Sequence, residues 1–279
     1  DFKAGDNIIV PEREHWNNTF PWMNIEKKGV EIRYIKLNAD NSFYPEAIEK
    51  LIDNKTRVVA MAAVRYNSGF RPNLSAIGKI AHKHGAIFLV DAAQAAGVIP
   101  LDVEKEQIDV MCGCGFKWLL GMYGTGYLYV SKRVVNHISP VLPGMFAAEH
   151  NYNKLTFHSD SRKFETGTLA YALFNAWAAG LQLLIDVGVA TIYEKALENT
   201  DLIIKGLQEK NYNIITPISK REERSAIVHF NTNNFESTKI LFEKLKENKV
   251  LLTLQGENIR VSPNFFNTKE EIEFFLGLL

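Results

Sequence analysis

A lysine framed by glycines, aromatics and aliphatics stands in Gly113-Cys114-Gly115-Phe116-Lys117-Trp118-Leu119-Leu120-Gly121. Apolar surroundings favour the uncharged amine, the form that attacks an aldehyde, and glycines let a ligand approach the backbone. The plainer alternative is a stem that snorkels over Trp118 with its ammonium in water. Asp91 directly follows the apolar run Ile87-Phe88-Leu89-Val90 and precedes six small or polar residues that include Gln94. A carboxylate leaving a buried strand is costly without a cationic partner. The protonated ring nitrogen of an electron-accepting cofactor would be such a partner; a helix N-cap is the other use. His15, in Glu14-His15-Trp16, offers a flat imidazole for stacking or proton transfer, or is structural. Arg260, in Ile259-Arg260-Val261-Ser262-Pro263, carries a fork suited to a carboxylate, or makes a surface ion pair. Cys112 and Cys114 form a C-x-C with no second pair or His cluster. A metal needs about four ligands, so no metal is expected and the two read as small buried hydrophobes.

The elements that must position these groups alternate. Strands are predicted at Asn7–Val10, Glu31–Leu37, Arg57–Val64, Ala86–Val90, Asp109–Cys114 and Gly126–Val130. Helices are predicted at Asn18–Lys28, Tyr44–Asp53, Leu74–His84 and near Val103–Gln107. The run RVVAMAAV is continuously apolar, as for a strand covered on both faces. Strands alternating with helices imply βαβ units and a mostly parallel sheet. In such sheets ligands bind beyond the carboxyl ends of the strands, and His15, Asp91, Gln94 and Lys117 each follow one of these strands. After about residue 170 the pattern changes. Long helices at Ala170–Val187 and Thr191–Lys210 precede strands at Asn213–Thr216, Ala226–Asn231, Val250–Thr253 and Asn258–Ser262. A helix at Ser237–Asn248 and a last one from Thr268 complete a smaller α+β unit. The expected division is 1–170 as a large ligand-binding domain, 171–190 as a connecting helix and 191–279 as a small C-terminal domain.

Bulk properties exclude several classes. The 279 residues carry 32 Lys+Arg and 32 Asp+Glu, so no charge footprint for nucleic acid or an acidic lipid surface is present. The most apolar stretch, 170–190, is broken by Asn175, Gln182 and Asp186, so no membrane span is expected. Two cysteines make no disulfide framework, and a cytoplasmic setting is the expectation. No G-x-G-x-x-G or G-x-x-x-x-G-K-[ST] nucleotide signature occurs. The chain opens on a turn, Asp1-Phe2-Lys3-Ala4-Gly5-Asp6, without Met or a first helix, and residues upstream of it are expected.

The combination is more specific than its parts. VDAAQAAG followed, one strand later, by GFKWLLGMYGTGYLYV resembles the class V aminotransferase family of fold-type I pyridoxal-phosphate (PLP) enzymes. This group includes cysteine desulfurases, selenocysteine lyases, kynureninases and isopenicillin-epimerase-like proteins. The resemblance runs in order through REHWNNTFPW, NSGFRPNL, FETGT and IRVSPNFFNT. It implies an α/β fold with a mostly parallel sheet in the large domain and a smaller C-terminal α+β domain. It implies that Lys117 holds PLP as a Schiff base and later moves protons at the substrate Cα. Asp91 would pair with the pyridine nitrogen, Gln94 with the phenolic oxygen, and His15 would stack over the ring. Thr168 would reach the cofactor phosphate of a neighbouring subunit, implying a homodimer with shared sites, and Arg260 would hold the α-carboxylate of an amino-acid substrate. Two departures stand out. Residues 250–258 hold no cysteine where desulfurases place their nucleophile, and Cys114 and Phe116 stand where desulfurases carry Ser and His. The implied activity is of the aminotransferase type. The alternatives are a C–S lyase or epimerase of the same family, or a non-catalytic relative with a degenerate cofactor site.

Overall fold

The computed structural model describes residues 2–151 and 153–279. Its first half builds one six-stranded sheet. In chain order, β1 is Asn7–Pro11 and α1 Phe20–Met23, followed by β2 (Glu31–Ile35), α2 (Pro45–Glu49) and β3 (Thr56–Ala62). Then come α3 (Leu74–Lys83), β4 (Ile87–Asp91), β5 (Val110–Cys114) and β6 (Gly126–Val130). The strand order is β2-β1-β3-β4-β5-β6. The first five strands run parallel, and β6 pairs with β5 antiparallel. The continuous apolar run of β3 is buried at every position but Arg57, as a strand covered on both faces requires.

The chain then enters α4 (Tyr171–Val187) and α5 (Val189–Glu209), which meet at an 80° bend. Gly188 makes the bend with a φ of 84°, a left-handed value that costs glycine little. No single helix among the described residues is long and apolar enough to cross a membrane. A second, antiparallel sheet orders β7-β8-β10-β9, from β7 (Asn213–Ile214), β8 (Val228–Asn231), β9 (Thr253–Gln255) and β10 (Asn258–Val261). Helices α6 (Phe235–Glu247) and α7 (Lys269–Leu278) belong to the same half of the chain. Thr268 starts α7 with a capping box closed by Glu271. One core gathers Ile9, Val59, Met61, Phe88 and Val90; another gathers Phe230, Leu245, Ile259 and Phe275. Helix α5 serves both, with Ile192 and Ala196 in the first and Ile203 and Leu207 in the second.

Three sequence expectations fail locally. The helix expected over 18–28 is three fragments, because Pro21 lies in the first turn of α1 and Gly29 stops the last fragment at a φ of 80°. Near 103–107 there is only a turn: Asp102 Oδ1 accepts from the N–H groups of Glu104 and Lys105, and Gln107 turns left-handed at a φ of 54°. The strand expected at 250–253 forms at Thr253–Gln255 instead. There the Gly256-Glu257 turn sets the pairing, with Thr253 opposite Arg260, and Leu251 points to solvent.

Candidate active site

The carboxyl ends of β1, β3, β4 and β5 open on a cleft of about 580 Å³, within the usual range of small-molecule sites. His15, Asp91, Gln94 and Lys117 all line it, with Tyr66, Trp22, Cys112, Cys114 and Phe116. Asp91 and Lys117 therefore face one space, although 26 positions separate them in the sequence. Register brings this about: Asp91 ends β4 opposite Cys112 of β5, and β5 runs on three residues before Lys117.

Asp91 Oδ1 accepts the N–H of Ala93 at 2.9 Å, so the N-cap-like use and a ligand-facing use share one carboxylate. Gln94 is oriented by Trp118, whose indole N–H donates to Gln94 Oε1 at 3.0 Å. That contact commits the amide oxygen and leaves the NH₂ to donate elsewhere. The Lys117 amine has no ion pair or hydrogen bond among the described residues, and its Nζ lies 5.9 Å from the centre of the Phe116 ring. Phe116 in turn stacks on Tyr123 at 4.5 Å.

The lysine loop is held tightly. Gly115 accepts from the N–H of Gly121 at 2.7 Å and donates to Thr125 O at 2.9 Å. Trp177 of α4 donates its indole N–H to Leu119 O at 3.0 Å. A Cβ at position 115 would lie 2.1 Å from Thr125 Oγ1 and 3.0 Å from the Trp177 ring, which is why only glycine fits there.

His15 packs edge-on against Tyr66 at 5.0 Å and accepts the Asn17 N–H at Nδ1. Behind it lies a buried pair that sequence reading did not find. Glu14 takes the N–H groups of His15 and Ala62 on its two oxygens and lies 3.8 Å from Arg65. Burial pushes the Glu14 carboxyl up, and the Arg65 guanidinium opposes that. The signal was adjacency: an acid beside a cleft histidine and an arginine inside an apolar strand exit.

The cysteines differ from expectation. Both are only partly buried and both line the cleft. Burial, with the Asp91 carboxylate across the register, pushes the Cys112 thiol up to about 11; burial raises Cys114 as well. Both therefore stay thiols at neutral pH. The other two expected site residues lie outside the cleft lining. Thr168 is exposed in the segment before α4. Arg260, half-buried on β10, spends its fork on Gln255 Oε1 at 3.3 Å and Thr253 Oγ1 at 3.2 Å.

The donor set suits the ring half of PLP. A carboxylate, an oriented amide, an amine and a flat imidazole share one cleft, and Asn18 Nδ2 and Trp22 Nε1 are buried cleft-wall donors with no partner among the described residues.

A family model described as aminotransferase class-V matches residues 1–275. The chain belongs to the class V aminotransferase family. A probable cysteine desulfurase of Methanothermobacter thermautotrophicus is 30% identical over 98% of this chain and 72% of its own length. The apo structure of the cysteine desulfurase of Thermococcus onnurineus NA1 is 25% identical, with a TM-score of 0.92 over 99% of this chain and 72% of that one. A mutant of C-DES carrying glycine linked covalently to its PLP cofactor has a TM-score of 0.89 at 22% identity, over 99% of this chain and 74% of that one. This last likeness speaks to the fold, which is that of the class V family.

Proposed function

We propose that this chain is a PLP-dependent enzyme that acts on an amino acid. The convergence of Lys117, Asp91, Gln94 and His15 on one cleft carries the reading. Lys117 would hold the cofactor, Asp91 would face the ring nitrogen, the Gln94 NH₂ would donate to the phenolic oxygen and His15 would cover the ring. When bound, the cofactor supplies an aldehyde for attachment and an electron sink that weakens the bonds at an amino acid's Cα. Asp91, anchored by the Ala93 N–H, presents its other carboxylate oxygen to the cleft, where it would hold the ring proton. Trp118 fixes Gln94 so that its donor is presented without rearrangement. Lys117 would take and return the proton at the substrate Cα. Arg260 orients the substrate through its α-carboxylate, which decides the bond that aligns with the ring.

The test is borohydride reduction of the coloured holoenzyme, followed by peptide mapping. The label is expected on Lys117, and Lys117→Ala should give a folded, colourless protein. Covalent attachment that survives Lys117→Ala would overturn the reading.

A second reading, C–S lyase chemistry, is favoured by the desulfurase relatives, whereas residues 250–258 hold no thiol. Pyruvate, ammonia and sulfide released from L-cysteine, or alanine released when an added thiol takes up the sulfur, supports the lyase. Amino transfer to a keto acid without such release supports the transferase.

The homodimer belongs to the same proposal. Helix α4 is mostly apolar, yet only Trp177 and Leu184 are buried, leaving Tyr171, Leu183 and Ile185 exposed. An apolar helix face of that kind suits a second copy. The large unit at 1–170, the connector at 171–190 and the small unit at 191–279 remain the proposed division of labour.

A further inference from the structure

His229 lies at the centre of the small sheet, fully buried, and sits directly opposite Arg260 on the paired strands β8 and β10. Its Nε2 is 3.1 Å from the carbonyl oxygen of Tyr66, a residue of the cleft wall. A carbonyl can only accept, so in the neutral ring Nε2 carries the proton and Nδ1 is left as a lone-pair acceptor. That Nδ1 is buried and has no partner among the described residues. Directly across the strand pair, Arg260 Nε, which can only donate, is also buried and has no partner among the described residues. Two complementary orphans on facing residues are costly apart and cheap together, since a buried unmet polar group costs about 1–3 kcal/mol. Burial holds the imidazole neutral, and the nearby Arg260 charge acts in the same direction.

We propose that His229 is a positioning residue for the substrate carboxylate: when an amino acid enters, Arg260 Nε donates to His229 Nδ1 and its fork leaves Gln255 and Thr253 for the carboxylate. The proposal rests on the PLP reading of the cleft and deepens it. The resting contacts of the fork, at 3.3 and 3.2 Å, are long for guanidinium hydrogen bonds and cheap to exchange for a charged partner. The His229 link to Tyr66 O places this turning point one residue from the cleft that holds Lys117 and Asp91. An arginine pinned at Nε loses less freedom when its two Nη groups engage a carboxylate bidentately.

Two substitutions separate this role from a merely structural one. His229→Asn places an amide oxygen near the Nδ1 position and gives up the Tyr66 contact. His229→Gln reaches the Nε2 position and gives up the Arg260 contact. The probes are L-alanine and ethylamine, which differ at the α-carboxylate, with dissociation constants read from the cofactor absorbance of the holoenzyme. His229→Ala and His229→Gln should shrink the wild-type preference for L-alanine roughly tenfold, the size of one hydrogen bond to a charged group. His229→Asn should stay within about twofold of wild type, the ordinary scatter of a conserved hydrogen bond. Rescue by Gln and not by Asn would show a tether to Tyr66 and overturn the proposal, as would an unchanged preference in His229→Ala. A wild type without preference overturns the Arg260 assignment and this inference with it. A wild type that never takes up PLP overturns the reading of the cleft itself, so the two failures are told apart before any substitution.

Discussion

Asp91 and His229 are both titratable groups carried on strands, and the chain uses them in opposite ways. Asp91 keeps one oxygen on the Ala93 N–H and presents its charge to the cleft. Asp91→Asn should therefore still bind PLP but lose about 100-fold or more in turnover, the usual cost of removing a preorganised charge partner. Steady-state kinetics on the coloured variant check this, and unchanged turnover would remove Asp91 from the mechanism. His229 instead must stay neutral: burial lowers it from 6.5 to about 4. In the unfolded chain the same imidazole takes its proton near pH 6.5. Its full contribution to stability is therefore present above about pH 6.5 and is lost as the pH falls towards 4. The loss is roughly 3 kcal/mol. Urea unfolding at pH 7 and pH 4.5 should show a smaller drop for His229→Asn than for wild type; equal drops would sink the assignment. Lys117, Asp91, Gln94 and His15 were legible as candidates because each follows a strand. Glu14, Arg65 and His229 were not, because a lone polar residue carries no mark in its local pattern of the partner it meets in the fold.

At the level of elements, the lysine loop depends on a helix 60 residues further along the chain. Trp177 caps Leu119 O and fills the space that Gly115 and Gly121 leave open. Trp177→Phe keeps most of the ring and removes the donor, which should cost about 1–3 kcal/mol for the unmet carbonyl. Thermal unfolding measures that loss, and PLP release should quicken in step. A variant as stable as wild type would mean that packing alone holds the loop. Strands were legible where apolar runs met turn residues, as in β3 and β4. The short helix expected at 103–107 was not, because a single Asx turn and a left-handed Gln107 look in sequence like a helix start. The start of β9 was missed for a different reason. Its register is set by the hairpin turn at Gly256 and by pairing with β10, which no local pattern records.

On the scale of the whole molecule, exposed α4 and exposed Thr168 belong to one question, whether sites are shared. If Thr168 serves a neighbour's phosphate, Lys117→Ala and Thr168→Ala protomers are each weak alone. Mixed by unfolding and refolding together, they should regain activity, because one site in each mixed dimer has both residues. No recovery, in a preparation shown by light scattering to be dimeric, would place Thr168 outside the neighbour's site. The order of strands and helices, the parallel sheet and the cleft residues that follow its strands were written in the sequence, since hydrophobic period and turn chemistry are local properties. The shared space of Asp91 and Lys117, the thiols turned into that space, and the pairing of His229 with Arg260 were decided only in three dimensions. They depend on which strands lie side by side and in what register, and that is settled by the burial of the sheet as a whole.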